Sequence, residues 1–206
     1  MTTSVLRFGG RRIPRSLTAL PELSIDRVGD VDAGRLVVVG TDADLGTVLS
    51  RLLKLDRLDV EVAFVPRWRT AATRACGLRF GGGAARAALT GAAQPMPLIR
   101  DESGNVLVGA ALWVGESGPL HGEAIADDTV LFDGVAPGVR IEPTRDAPGL
   151  RASVVSRRMR PRGWVSGRAA QLGTTGASVT RDGEPSTRVV RRFAYYRHVT
   201  DWQAVC

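Results

Sequence analysis

The pattern of residues 35–65 constrains the fold more than any other part of this chain. Residues 35–39 are a β-branched run that ends at Gly40, and a run apolar on both faces is typical of a strand buried in a parallel sheet. The apolar spacing that follows predicts a helix over 44–55, and another β-branched run predicts a strand over 59–65. Together they predict a right-handed β-strand–helix–β-strand unit.

The turn at 40–44 is the first candidate site. A glycine turn between a strand and a helix directs backbone N–H groups and the positive end of the helix dipole outward, which suits a phosphate. No GxGxxG or GxxxxGK[ST] motif supports a phosphate site here. Asp42 and Asp44 would repel a phosphate unless a divalent cation lay between, and either could cap the helix. An anion site and an ordinary capped turn both stay open.

The rest of the chain divides into two parts. Residues 1–34 predict a short strand or an extended arm, and a helix is expected over 70–76. A flexible loop is expected at 81–83 and a helix at 84–89. From about residue 97, short β-branched runs alternate with turn signals, which indicates an antiparallel β-sandwich. The predicted strands are 106–114, 129–132, 139–142, 150–156, 169–172, 177–180 and 189–195. We therefore predict an α/β domain over 1–96 and a β-sandwich domain over 97–206.

The segment Asp182-Gly183-Glu184 is the second candidate site. Asp-Gly is a leading signal for a tight β-hairpin turn. Two carboxylates separated by one residue also suit a hard cation or a general base. The spacing by itself is compatible with both.

Charge is unevenly distributed along the chain. Residues 101–146 contain nine acids and two arginines, whereas residues 151–197 contain eleven arginines and two acids. The basic segment could face nucleic acid, an anionic membrane surface or the acidic segment of the same chain. Lys54 is the one lysine, and such an arginine excess is also expected from a GC-rich genome.

The cysteines and the hydropathy bear on the compartment. Cys76 and Cys206 form neither a CxxC motif nor a metal-binding spacing, which fits a reducing, cytoplasmic setting. No apolar run approaches the roughly 18 residues that would span a bilayer. Peripheral membrane contact and a homo-oligomer both remain open.

Four segments carry a resemblance to a known family. Residues 37–45 resemble the GGDGT turn of the diacylglycerol kinase and lipid kinase family, whose fold is related to that of NAD kinases. Residues 62–78 resemble its strand, proline and GT-x-N-D segment, and residues 84–98 resemble its next helix and extended chain. Residues 179–184 resemble its strand with a DGE turn. The resemblance runs from about residue 35 to the end.

The resemblance implies a two-domain kinase that uses ATP and Mg²⁺ in the cleft between its domains. Asp182 and Glu184 would then be the catalytic carboxylates, and Asp42 and Asp44 would hold the metal. The implied nucleotide-binding residues are Gly40, Thr41, Asp42, Ala43, Asp44 and Thr70.

This chain departs from the family pattern in three ways, one of which is that residues 69–72 lack the glycine and the asparagine of the second motif. Thr41 and Ala43 stand where the family has glycine, and Asp44 stands where it has threonine. Each added Cβ obstructs close backbone approach to a phosphate. Only 34 residues precede the motif strand, where the family has one or two complete βα units, so the α/β domain is predicted to be truncated.

The leading hypothesis is therefore a divergent lipid-kinase-like protein with a degenerate nucleotide turn. It would bind a phosphate-bearing ligand, such as a nucleotide or lipid phosphate, or regulate a partner, with impaired or absent kinase activity. The alternatives are an active ATP-dependent lipid kinase and a nucleic-acid or anionic-surface binder that uses the arginines of 151–197.

Overall fold

The computed structural model of this protein describes residues 2–30 and 34–206 and contains two β-sheets. The strands of the first sheet are Thr3–Arg7 (β1), Arg35–Val39 (β2), Glu61–Phe64 (β3), Ala93–Met96 (β4) and Trp202–Val205 (β16). They lie in the order β1-β2-β3-β16-β4; β1, β2, β3 and β16 are parallel, and β4 is antiparallel to β16 at the edge. The prediction of an α/β domain followed by an antiparallel β domain is confirmed.

Helices cover both faces of the first sheet. Helix α1 (Asp42–Lys54) packs Leu45, Leu49 and Leu52 against the apolar face that contains Leu36. Helix α3 (Gly81–Thr90) packs its alanines against the opposite face. All five residues of β2 are buried, as its continuous apolar sequence predicts.

Helix α1 begins through a capping box rather than through an aspartate cap. The Thr41 hydroxyl accepts the Asp44 N–H, and the Asp44 carboxylate accepts the Thr41 N–H in return. The prediction that Asp42 or Asp44 occupies the cap position is wrong, because Thr41 holds it. Helix α2 (Ala71–Ala75) has the same arrangement, with Thr70 as its cap.

The glycines at 81–83 do not form the predicted loop. Helix α3 begins at Gly81, whose φ of +57° suits glycine, so the helix is one turn longer than predicted. The alanines that follow supply the buried face, which overrides the low helix propensity of the glycines.

The second sheet has eleven strands, and antiparallel pairing dominates it. They are Ile99–Asp101 (β5), Val106–Leu107 (β6), Ala111–Gly115 (β7), Leu120–Ala126 (β8), Thr129–Ala136 (β9), Val139–Pro143 (β10), Leu150–Val154 (β11), Val165–Gly167 (β12), Ala169–Arg181 (β13), Glu184–Pro185 (β14) and Val190–Arg197 (β15). Its core is built around Trp113, which stacks on Tyr195 with 6.2 Å between the ring centroids.

The strand predictions for residues 97–206 need correction in four respects. The strand expected over 106–114 is interrupted between β6 and β7, and the two strands expected over 169–180 are one strand with an irregularity between Gly173 and Ala177. Strands β5, β8, β12, β14 and β16 were not predicted. The final strand, β16, was assigned with 97–206 to the second domain, whereas it pairs with β3 and β4 in the first sheet.

Candidate functional site

A cavity of about 300 Å³ lies between α1 and the turn that joins β13 to β14. Ala43, Gly46, Thr47 and Ser50 line it from the helix, and Asp182 and Glu184 line it from the turn. The cavity therefore lies at the junction of the two sheets. It brings together predicted residues from both candidate sites.

Asp182 occupies a strained position that its sequence context predicts. Its φ is +51° and that of Gly183 is +89°, so both residues have the positive φ that tight Asp-Gly hairpins require. The predicted hairpin turn is present between β13 and β14. It places the Asp182 carboxylate next to helix α1, where a Cβ at Gly46 would lie 3.4 Å from Asp182 Oδ2.

The Asp182 carboxylate accepts three backbone hydrogen bonds from the interruption between β6 and β7. Oδ2 accepts the Val108 N–H at 3.1 Å, and Oδ1 accepts the Gly109 and Ala110 N–H groups at 2.7 and 3.1 Å. The Asp182 N–H in turn donates to the Ala110 carbonyl at 2.9 Å. The predicted strand breaks here because its N–H groups bond to a side chain instead of to a neighbouring strand.

Burial makes Asp182 a weaker acid than usual. Desolvation raises the pKa of its carboxyl to about 6, the three N–H bonds oppose that rise, and the nearby Asp42 charge adds to it. Burial likewise raises the pKa of the Cys76 thiol to about 12, with Asp42 and Asp182 contributing, so this cysteine stays protonated. A carboxyl with a pKa near neutrality has the property that general bases need.

Asp42 lies on the other side of the same backbone segment. Its Oδ2 accepts the Ala72 N–H at 3.0 Å, and its Oδ1 is buried without a hydrogen-bond partner. A Cβ at Gly109 would lie 2.8 Å from Asp42 Oδ2, while the Gly109 N–H donates to Asp182. Gly109 therefore lies between the carboxylates of Asp42 and Asp182, one from each candidate site.

The turn at Gly40 already contains a carboxylate. Asp44 Oδ2 accepts the Thr41 N–H at 2.7 Å and the Thr41 hydroxyl at 2.8 Å, and Arg11 pairs with it at 3.3 Å. A Cβ at Gly40 would lie 2.6 Å from the same Oδ2. Glycine is therefore required here to leave room for the Asp44 side chain, which lies over the turn.

The turn as folded does not fit a nucleotide phosphate, because the Asp44 carboxylate occupies the place where an anion would accept the Thr41 N–H. Asp42 and Asp44 also bond to different partners, and two residues apart on a helix they point to different sides. Within residues 2–30 and 34–206 no group of three or more acidic, histidine or cysteine side chains converges as a metal site. The assignment of Mg²⁺ to Asp42 and Asp44 stays a prediction.

The other predicted residues lie nearby. Thr70 caps α2, whose Ala72 N–H bonds to Asp42, and Glu184 is exposed beside the cavity. The sequence reasoning missed the segment 108–110 and Ser50, whose hydroxyl accepts the Val106 N–H at 2.8 Å. The small residues at 109–111 indicate close packing, but they lie within the strand predicted over 106–114, so this signal was not recognised.

The arginines of residues 151–197 differ in their surroundings. Three are ion-paired with described residues, namely Arg151 with Glu142, Arg181 with Asp101 and Arg197 with Asp201. Those of the β11–β12 connection (Arg157, Arg158, Arg160 and Arg162) are exposed and form no ion pair with described residues. Among the described helices, none is long and apolar enough to cross a bilayer.

Comparison with known proteins gives a result at the level of fold. No protein family matches the sequence, and no curated protein sequence matches it. A diacylglycerol kinase structure from Bacillus anthracis str. Sterne is similar with a TM-score of 0.72 and 14% identity, covering 99% of this chain and 96% of that one. A structure described as a putative diacylglycerol kinase from the same organism gives a TM-score of 0.73 at 14% identity, with the same coverage of both chains.

The second kind of neighbour is an NAD kinase from Archaeoglobus fulgidus in complex with ATP. It is similar with a TM-score of 0.64 and 12% identity, covering 100% of this chain and 94% of that one. Similarity over nearly the whole of each chain includes both sheets. This chain therefore has the fold of diacylglycerol kinases and NAD kinases.

Proposed function

We propose that this protein is a divergent lipid-kinase-like protein that binds a phosphate-bearing ligand or regulates a partner, with weak ATP binding and impaired or absent phosphoryl transfer. The fold supports a kinase-like ancestry, since its neighbours include an NAD kinase crystallised with ATP. Fold alone does not supply activity, so the proposal depends on the residues of the site.

The observation that carries the proposal is the carboxylate of Asp44 in the turn at Gly40. A phosphate at the start of α1 would need the Thr41 N–H, which bonds to Asp44 Oδ2 at 2.7 Å. Asp44 is part of the same turn, so its effective concentration there is far above that of any dissolved nucleotide. It also places a negative charge where the phosphate charge would lie.

Arg11 strengthens this arrangement. Its guanidinium pairs with Asp44 at 3.3 Å and also donates to the Phe8 carbonyl at 3.0 Å. A cation that would otherwise attract a phosphate is thus committed to an internal carboxylate. Phosphoryl transfer depends mainly on positioning and charge stabilisation. A site in which the Thr41 N–H and the Arg11 guanidinium cannot contact a phosphate should therefore catalyse the reaction poorly.

On the other side of the cavity, Asp182 and Glu184 have different roles in the proposal. Asp182 is saturated by three backbone N–H groups and acts as a positioning residue for segment 108–110. Glu184 is exposed beside the cavity and is the carboxylate free to accept a proton from a bound hydroxyl group.

Calorimetric titration with ATP and Mg²⁺ tests the proposal. The wild-type protein is expected to bind ATP only weakly, with a dissociation constant above about 1 mM. Asp44→Thr restores the family residue and is expected to bind ATP about tenfold more tightly, because it removes a like charge from the phosphate position. Asp128→Thr, at an exposed acid in the β8–β9 turn, is the matched control for the change in charge and should behave as wild type.

Two outcomes would overturn the proposal. Micromolar ATP binding by the wild-type chain, or its phosphorylation of diacylglycerol with ATP and Mg²⁺, would establish the active kinase instead. An Asp44→Thr protein that folds normally yet gains no ATP affinity would show that this carboxylate is not what weakens binding.

A further inference from the structure

The loops at the carboxyl ends of the parallel strands lie along one edge of the first sheet. Residues 8–15 follow β1, the turn at Gly40 follows β2, and residues 65–70 follow β3. The Arg11–Asp44 ion pair joins the first two loops. The Gly81 N–H donates to the Pro66 carbonyl at 2.8 Å, which adds the start of α3 to the same edge.

Two aromatic side chains protrude from this edge. Trp68 is 67% exposed and Phe80 is 47% exposed, although each carries a large apolar surface. The hydrogen bond between Gly81 and Pro66 holds their two loops together. The Arg67 guanidinium lies over the Trp68 ring at 4.9 Å. Exposed apolar side chains that lie together and are rimmed by polar residues mark surfaces that contact a protein or a membrane.

The charge of this edge is positive. Residues 1–21 and 62–100 contain no acidic residue, so the loops that build the edge carry arginines without acids of their own. Arg12, Arg69 and Arg79 are exposed and form no ion pair with described residues. The adjacent turn contains two acids: Asp42 is buried, and Arg11 pairs with Asp44.

We propose that this edge surface, formed by Arg12, Arg67, Trp68, Arg69, Arg79 and Phe80, docks on an anionic phospholipid bilayer. Tryptophan and phenylalanine place their rings at the headgroup level, and arginines bind the lipid phosphates in a planar, bidentate manner. The proposal deepens the proposed function by naming the surface on which a lipid-directed protein would work. It places the bilayer next to the turn at Gly40.

A bilayer fits this surface better than nucleic acid does. One face of the Trp68 ring is covered by the Arg67 guanidinium, which leaves less of it for stacking with a base.

The arginine-rich β11–β12 connection is a competing basic surface, with Met159 and Trp164 exposed at 41% and 36%. This connection leaves the second sheet at the end that lies away from Asp182. The pairings of β13 with β7, of β7 with β10 and of β10 with β11 place Val154, which leads into the connection, on the side away from Arg181.

Vesicle co-sedimentation tests the surface without nucleotide, so its outcome does not depend on ATP binding. The wild-type protein should bind vesicles of equal parts phosphatidylcholine and phosphatidylglycerol, more weakly as salt rises, and bind pure phosphatidylcholine poorly. The triple variant Arg67→Gln/Arg69→Gln/Arg79→Gln should bind the anionic vesicles roughly 100-fold more weakly, at about fivefold for each arginine. Trp68→Ala/Phe80→Ala should reduce binding to both kinds of vesicle.

The β11–β12 connection supplies matched controls. Arg157→Gln/Arg158→Gln/Arg160→Gln removes the same charge, and Trp164→Ala/Met159→Ala removes comparable apolar surface. Both should bind vesicles like the wild type, and circular dichroism should show that every variant is folded. Stronger losses in these controls than in the edge variants would overturn the proposal. So would absent vesicle binding, or tight binding to a single-stranded oligonucleotide that the edge variants abolish.

Discussion

The turns at Gly40 and at Asp182 use the same interaction in opposite ways. In each turn a carboxylate accepts backbone N–H groups. Asp44 bonds to Thr41, three residues before it, and stays within its own turn. Asp182 bonds to residues 108–110, more than seventy positions earlier in the chain, and joins distant segments.

This difference shows that the sequence position of an acid does not reveal what its carboxylate does. The local contact stabilises the start of one helix and fills a place suited to an anion. The long-range contact interrupts a strand and fixes the backbone that separates Asp182 from Asp42. The first should matter little for stability and much for ligand binding, and the second should matter for both.

The largest effect on stability is expected from Asp182→Ala. It leaves three N–H groups without their acceptor, and each unsatisfied donor costs roughly 1–3 kcal/mol, reduced where water enters the cavity. We expect the free energy of unfolding to fall by about 4 kcal/mol, measured by urea denaturation at neutral pH. Glu184→Ala is the matched control, and its exposed side chain should change stability by less than about 0.5 kcal/mol. Equal losses of unfolding free energy in the two variants would show that the hydrogen bonds to Asp182 contribute no more to stability than the exposed Glu184 side chain does.

The second effect is on the pH dependence of stability. The pKa of Asp182 in the folded protein, about 6, lies above its ordinary value of 3.8, so folding favours the protonated carboxyl. Its stabilising contribution is therefore complete below the ordinary pKa and is lost as pH rises through about 6. The stability difference between wild type and Asp182→Asn should fall by about 2 kcal/mol from pH 4 to pH 7. Denaturation midpoints across that range measure it, and a difference that grows with pH would contradict the assignment.

The smallest effect is expected at the local turn. Asp44→Ala removes one half of the capping box of α1 and a partly exposed ion pair with Arg11, which together cost about 1 kcal/mol. Thermal melting should show this modest loss. A loss as large as that of Asp182→Ala would mean that Asp44 also supports contacts beyond its own turn.

The elements that the sequence predicted well are those whose signals are local. The buried run of β2, the helical spacing of α1 and the Asp-Gly turn at 182–183 each depend on a few neighbouring residues. The resemblance to lipid kinases also predicted the fold correctly, although the chain is only 14% identical to the diacylglycerol kinase neighbours. The glycines at 81–83 misled because tertiary packing of the following alanines overrode their local preference.

Local patterns along the chain were enough to predict the strand–helix–strand unit of residues 35–65 and the two turns that carry the carboxylates. Hydrophobic periodicity and turn-forming residues involve only a few neighbouring positions, so they can be recognised in the sequence. Three features became visible only in the folded chain: β16 completes the first sheet, Asp182 binds residues 108–110, and Asp44 lies over Gly40. Each of these contacts depends on which atoms folding brings close together. A strand pairs with the strand placed beside it, and a carboxylate bonds to the N–H groups placed within reach.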